Sequence, residues 1–299
     1  MKVIVLGAAA GGGFPQWNAN SALNRRAFAG DGNTTQSTQC SLAVSANGID
    51  WLLLNASPDI RQQIIATPEL HPHDGQRSSP IKAVVLTGAD VDALAGLLTL
   101  RERQRFSLWG SDFVLGAVEA NSSFGVLDRG SVRFERIGVH GRFDPLPGLA
   151  CETFAVPGKP PLYLEDVHGI GAVEGASFGL RIVDDAGKAL VHLPACADVT
   201  PEIARAIDGA DVLFFDGTMY TDDEMIRSGE GSKTARRMGH VPMTGRGGAI
   251  EALRDAKIGA RYFIHVNNSN PALDRASPER KAIAEAGWRV AEDGMRIEL

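Results

Sequence analysis

Leu86-Thr87-Gly88-Ala89-Asp90-Val91-Asp92-Ala93 is the most informative run in this 299-residue chain. It follows Lys82–Leu86, a short apolar segment bounded by turn residues, which predicts a buried strand. Two carboxylates, two residues apart, then stand where the strand opens into a turn. Carboxylates at a strand end are good ligands for hard or borderline cations when they share a cleft. Asp90 and Asp92 also fit a plainer role, capping a helix predicted over Asp92–Arg101. In that helix Leu94, Leu97, Leu98 and Arg101 recur at helical spacing.

The same grammar returns further along the chain. Val212–Phe215 is an apolar strand that stops at Asp216, within Phe214-Phe215-Asp216-Gly217-Thr218. A carboxylate directly after such a strand either faces a polar pocket, because burying it unpaired is costly, or turns the chain before Gly217. His265 lies in a strand predicted over Arg261–Val266. A core imidazole with satisfied nitrogens is one reading; the Asn267-Asn268 pair that follows favours a site equally. His240, in Arg237-Met238-Gly239-His240-Val241, sits in a turn and fits a ligand, an acid/base or a surface group. His71-Pro72-His73-Asp74 imitates a metal motif but falls in a Pro-rich loop over 68–80. His140, His168 and His192 have no partner cluster in sequence.

The flanking elements predict the architecture. Val3–Leu6 reads as a buried strand. Ser41–Ser45 and Trp51–Leu54 read as a hairpin turning at Asn47-Gly48. Ser57-Pro58-Asp59 opens a helix through about Ala66. Ala189–Leu193 is a strand, and Thr200-Pro201 starts a helix that Gly209 ends. Thr244–Asp255 is predicted helical, with Thr244 as N-cap. Ser277-Pro278 opens a last helix that Gly287 closes, and a final strand ends near Ile297. Residues 11–37 read as one long loop, and residues 107–165 as alternating short strands and turns. Strands grouped between helices in two similar halves predict an α/β fold, a four-layer αββα sandwich, forming a single domain over 1–299. A dinucleotide-binding fold is disfavoured. Gly11-Gly12-Gly13 lacks the G-x-G-x-x-G spacing, and Phe14-Pro15 interrupts a helix there.

Bulk properties exclude other classes. A net charge of -6 and 44% hydrophobic residues give no electrostatic footprint for nucleic acid or an anionic membrane. No stretch approaches the roughly 18 apolar residues of a membrane helix. The N-terminal run Met1–Leu6 reads as a first strand rather than a signal peptide, because Gly11-Gly12-Gly13 follow so soon. Cys40, Cys151 and Cys196 match no zinc knuckle or disulfide framework and read as buried thiols in a reducing compartment. The expected location is cytoplasmic.

Long specific strings then carry a resemblance. They are Leu6-Gly7-Ala8-Ala9-Ala10-Gly11-Gly12-Gly13-Phe14-Pro15-Gln16-Trp17-Asn18, Asn55-Ala56-Ser57-Pro58-Asp59-Ile60-Arg61 and Gly96-Leu97-Leu98-Thr99-Leu100-Arg101-Glu102. Asp216-Gly217-Thr218, Asp222-Asp223-Glu224-Met225 and Met238-Gly239-His240 follow. His265-Val266-Asn267-Asn268-Ser269-Asn270-Pro271 and Ser277-Pro278-Glu279-Arg280 complete the set. Over nearly its whole length the chain resembles the PqqB family of the metallo-β-lactamase superfamily.

That resemblance implies a role in making pyrroloquinoline quinone (PQQ) from a ribosomal precursor peptide. The family is described both as helping to carry PQQ or its precursor to the periplasm and as an iron-dependent hydroxylase of the tyrosine in a Glu-Tyr intermediate. It implies a metal set of Asp90, Asp92, Asp216 and His265, with His240 as a catalytic group. The implied cofactor is Fe(II), and the implied partners are a small peptide or quinone precursor, other proteins of the pathway and a second copy in a homodimer.

Three departures matter. Ala19, Ser21 and Asn24 stand where the family normally has cysteines, so no structural zinc is expected there. Ala93 stands where the family has a histidine, so iron is expected to bind more weakly. Pro157-Gly158-Lys159 replaces the superfamily's usual Pro-Gly-His. Without a full His-x-His-x-Asp-His cluster, hydrolysis ranks below hydroxylation and below non-catalytic binding of PQQ or its precursor.

Overall fold

Val3 and Val5 face one side of the first strand, Ile4 and Leu6 face the other, and all four are buried. A strand buried on both faces needs a layer on each side, and the chain supplies them. In the computed structural model, which describes residues 1–34, 36–169, 171 and 173–299 without the side chain of His168, the strands form two seven-stranded sheets. Expectations that fall on Thr35 and on the His168 side chain lie outside the described residues.

The first sheet contains β1 (Lys2–Gly7), β2 (Ser41–Ser45), β3 (Trp51–Leu54), β4 (Ile81–Val85), β5 (Phe106–Gly110) and β6 (Val132–Arg136). The second contains β7 (Arg142–Leu146), β8 (Leu149–Ala155), β9 (Phe178–Asp184), β10 (Ala189–Leu193), β11 (Val212–Asp216), β12 (Ala260–Ile264) and β13 (Arg289–Val290). The last strand, β14 (Arg296–Glu298), returns to the first sheet beside β1. Spatial orders are β14-β1-β2-β3-β4-β5-β6 and β13-β12-β11-β10-β9-β8-β7.

Alternation builds the layers. Val3, Val5, Leu42, Leu54 and Val85 meet Phe178, Leu180, Leu190, Phe214 and Ile264 between the sheets. The opposite face of the first sheet packs Leu53, Val84 and Leu86 against Ile60, Leu97, Val114 and Val118 from helices and turns. The outer face of the second packs Val191, Leu213, Phe215 and Phe263 against Ile203, Ile207, Leu253 and Ile283. Each fully buried side chain of this kind contributes about 1.5–3 kcal/mol. The expected four-layer αββα sandwich is what forms. From β3 to β6 and from β10 to β13 the neighbours are parallel, so the carboxyl ends of β4, β11 and β12 are free to hold a site.

Several local expectations need correction. The loop over 11–37 contains a helix, Ala22–Phe28, capped by the Ser21 hydroxyl. Its buried residues are only Asn24 and Ala27, too few to leave an apolar period. Residues 107–165 contain a helix, Asp112–Ala120, capped by Ser111. The helix expected over Asp92–Arg101 is an α-turn, Val91–Leu94, followed by a 3-10 stretch, Ala95–Arg101. Gly96 sits against the backbone of Ala56 and Ser57, and this contact sets the change of winding. The helix expected from Thr244 is confined to Ala249–Ala252, because Gly245 and Gly247 take positive φ. The strand expected over Arg261–Val266 is β12, which stops at Ile264, one residue before His265. No helix of the described residues is long and apolar enough to cross a membrane.

Candidate metal centre

Asn55 fixes the entrance to the Asp90 turn. It follows β3 at φ +62°, a left-handed conformation that asparagine tolerates better than most residues. Its Oδ1 accepts from Thr87 N at 2.9 Å, and its Nδ2 donates to Thr87 Oγ1 at 3.1 Å. Ala56 N donates to Ala93 O at 2.7 Å, pinning the far end of the turn. Asp90 occupies the N-cap position of the following turn but makes no capping bond with its side chain. Asp90 and Asp92 instead line a cleft of about 320 Å³ together with Ala93, Lys159, His240 and His265.

His265 reaches the same cleft from the end of β12. Its backbone turns sharply at φ +60°, an uncommon conformation for a residue with a side chain, and this swings the ring out of the sheet. His265 Nε2 lies 2.8 Å from Asp92 Oδ2. Burial opposes the charged imidazole, but the hydrogen bond and charge of Asp92 outweigh it and raise its pKa above the ordinary 6.5. Burial likewise opposes the Asp92 carboxylate, and His265 more than compensates, holding it below the ordinary range. Asp90 lacks such help. Burial, then the charge of Asp92, pushes its pKa up to about 6. Among the described residues its carboxylate has no hydrogen-bond donor.

Asp216 is a candidate ligand that is also hydrogen-bonded within the protein. Fully buried at the end of β11, it accepts from Cys196 N (2.8 Å), Thr218 N (3.0 Å) and Thr218 Oγ1 (2.7 Å), and lies 2.8 Å from His240 Nδ1. In this arrangement Asp216 orients His240 and leaves Nε2 as that ring's free nitrogen. The rings of His240 and His265 stack at 5.5 Å, and Thr218 Oγ1 joins them, 3.1 Å from His240 Nδ1 and 2.9 Å from His265 Nδ1.

The donor set fits a divalent cation. Asp216, His240 and His265 offer ligand atoms that all lie within 4.8 Å of one another. The 2.8 Å between Asp92 Oδ2 and His265 Nε2 is close to the separation of neighbouring ligands around an octahedral ion with bonds of about 2.1 Å. Two neighbouring carboxylates, Asp92 and the solvent-exposed Asp90, are a charge arrangement that a bound cation relieves. Ala93 lines the cleft at the same turn and contributes no donor atom.

The remaining candidates lie elsewhere. His71 and His73 are exposed and bond only to backbone carbonyls. His140 is exposed beside Glu202. His192 is buried between the sheets with both ring nitrogens unpartnered among the described residues, and burial pushes its pKa down to about 3. The three cysteines are free and buried, as expected. Where the resemblance places cysteines, buried Asn24 donates to Ser21 Oγ (2.8 Å) and Asn268 Oδ1 (3.0 Å) and accepts from Gln16 N (3.0 Å). Sequence reasoning missed Thr218 and Asn55. The only hint of the first was a hydroxyl two residues after a strand-end aspartate.

Known proteins place this geometry. Residues 50–266 match the family described as "Beta-lactamase superfamily domain". Coenzyme PQQ synthesis protein B from Methylobacterium radiotolerans is 50% identical, and that from Methylobacterium sp. (strain 4-46) 52% identical, each over the full length of both chains. The crystal structure of Zn(2+)-bound PqqB from Methylobacterium extorquens superposes with a TM-score of 0.97 at 49% identity, covering all of both chains. A diphosphatase of the PhnP family shares the fold alone, at a TM-score of 0.69 and 18% identity over 100% of this chain and 97% of that one. With full-length identity near one half and a metallo-β-lactamase sandwich around an Asp–His cleft, the chain belongs to the PqqB family, the coenzyme PQQ synthesis proteins B.

Proposed function

We propose that this protein acts in PQQ biosynthesis as a metal-dependent hydroxylase of the tyrosine in a Glu-Tyr precursor. The observation that carries the reading is the Asp92–His265 pair at 2.8 Å in one cleft with Asp90 and His240 and beside the buried Asp216. It is supported by full-length relatives named for PQQ synthesis, one of them seen with bound zinc. Asp90, Asp92, Asp216 and His265 would hold Fe(II), with His240 Nε2 adjacent. Carboxylate and imidazole donors with open positions suit non-haem iron, which supplies the redox chemistry with oxygen when bound.

The chain's own groups do the rest. Asp216 fixes the ring of His240, so that Nε2 can accept the phenolic proton of a bound tyrosine and return it. Met219, Met225, Met238 and Phe178 give the cleft an apolar wall suited to an aromatic ring. Asn55 and Thr87 hold the Asp turn in register.

A second reading has its own observation. Ala93 leaves the cleft one donor short, which favours a binder of PQQ or its precursor without turnover. Anaerobic loading with Fe(II), followed by oxygen, a reductant and a Glu-Tyr peptide, separates the two. Hydroxylated tyrosine detected by mass spectrometry is the expected result. Tight peptide or PQQ binding with no hydroxylated product would replace the first reading by the second.

A further inference from the structure

The cleft is acidic, and one residue in its wall is not. Lys159 is the only lysine or arginine among its described lining residues, which also include Asp90 and Asp92. It stands on a strap stiffened by Pro157, Pro160 and Pro161, where proline fixes φ. The strap is tied at both ends. Ala197 N donates to Pro157 O at 3.2 Å, and Tyr163 Oη donates to Ala89 O at 2.7 Å, in the Asp90 turn itself. The stem of Lys159 lies against Gly239, where an added Cβ would come 3.7 Å from its Cγ. That contact places the lysine beside His240.

The ammonium is already held by a carboxylate. Glu165 Oε1 lies 2.6 Å from Lys159 Nζ, with the lysine side chain 26% exposed and the glutamate 14%. An ammonium has three donors, and this bond uses one. The other two are unused by the described residues. Its charge also reaches Asp90, on which it acts to favour the ionised form. A lysine that is only a counter-charge for Glu165 needs neither a proline-stiffened strap nor a place on the cleft wall.

We infer that Lys159 anchors a carboxylate of the bound ligand and so orients it towards His240 and the Asp90–Asp92 turn. One ammonium suits a carboxylate better than a phosphate, which gathers several cationic donors, and no arginine is among the described residues lining the cleft. The inference deepens the proposed function and rests on it for the identity of the ligand. A Glu-Tyr peptide and PQQ both carry carboxylates, and the test separates them.

Calorimetric titration of the Zn(II)-loaded protein reads binding without turnover. The probes are Glu-Tyr, Glu-Tyr with both carboxylates converted to amides, and PQQ. Lys159→Gln should weaken a carboxylate-bearing ligand by about tenfold or more and leave the amide form within about twofold. Lys159→Arg should stay within about threefold of the parent. Loss confined to Glu-Tyr identifies the peptide as the anchored ligand, and loss confined to PQQ identifies the quinone. Unchanged affinity of Lys159→Gln for both, equal loss for the amide form, or no binding of either probe to the parent overturns the inference. Lysine-dependent binding without Fe(II)-driven product would retire the hydroxylase reading alone. Product formation unaffected by Lys159→Gln would retire the anchor alone.

Discussion

Thr218 has one hydroxyl and meets three side chains with it: Asp216, His240 and His265. It therefore fixes how both imidazoles present their outer nitrogens to the cleft. Partners of this kind typically cost 10–100-fold in metal affinity or activity when removed. Thr218→Val is expected to weaken Fe(II) or Zn(II) binding by roughly that factor, while Thr218→Ser retains most of it. Competition with a chromophoric chelator measures both; equal loss in the two variants would mean that shape, not the hydroxyl, matters. Asp92, Asp216 and His265 were legible because each charge or ring follows an apolar strand. Thr218 was not, since its role exists only once the ends of β11 and β12 lie side by side. The hydrogen bonds of Asp216 were equally hidden, because Cys196 N and His240 come from separate segments.

Glu224 shows how far a buried carboxyl can shift. It accepts from Tyr220 N and Ser269 Oγ behind the cleft wall, yet burial raises its pKa from 4.5 to about 7. Between those values the folded chain holds a proton that the unfolded chain has lost, so its contribution is fullest below pH 4.5 and declines as pH rises to 7. From pH 4.5 to 8, denaturation midpoints should shift in favour of Glu224→Gln over the parent by roughly 3 kcal/mol. A difference independent of pH would contradict the assignment.

Among elements, the turn over Val91–Leu94 is the one on which the site depends. Its winding changes after Leu94, and at Gly96, just beyond, a Cβ would stand 2.2 Å from Ser57 O and 2.7 Å from Ala56 O. Both obstacles are backbone and cannot rotate away. Gly96→Ala is therefore expected to cost about 3 kcal/mol in urea denaturation. Gly116, inside the helix Asp112–Ala120, has no atom within 4 Å of an added Cβ. Gly116→Ala should be neutral or stabilising by about 0.5–1 kcal/mol. Equal effects at the two positions would refute the packing argument. The strands were legible because their apolar runs are short and bounded by turn residues. The helix Ala22–Phe28 was not, because it is held by the Asn24 bonds to Ser21 and Asn268 rather than by an apolar stripe.

At the scale of the whole molecule, each sheet supplies part of the centre. Asp90 and Asp92 follow β4 in the first sheet; His265 follows β12 in the second, with Asp216 at the end of β11. Packing Val85 and Leu54 against Phe214 and Ile264 between the sheets brings these ends together. The sandwich thus explains why residues 173 positions apart meet at 2.8 Å. This junction is expected to bind a divalent metal despite Ala93. Crystals soaked with Fe(II) under anaerobic conditions, or with Zn(II), and measured on both sides of the metal absorption edge test it most directly. One anomalous peak per chain is expected, held among Asp90, Asp92, Asp216 and His265, with His240 beside it. A peak elsewhere, or none at millimolar metal, would contradict it.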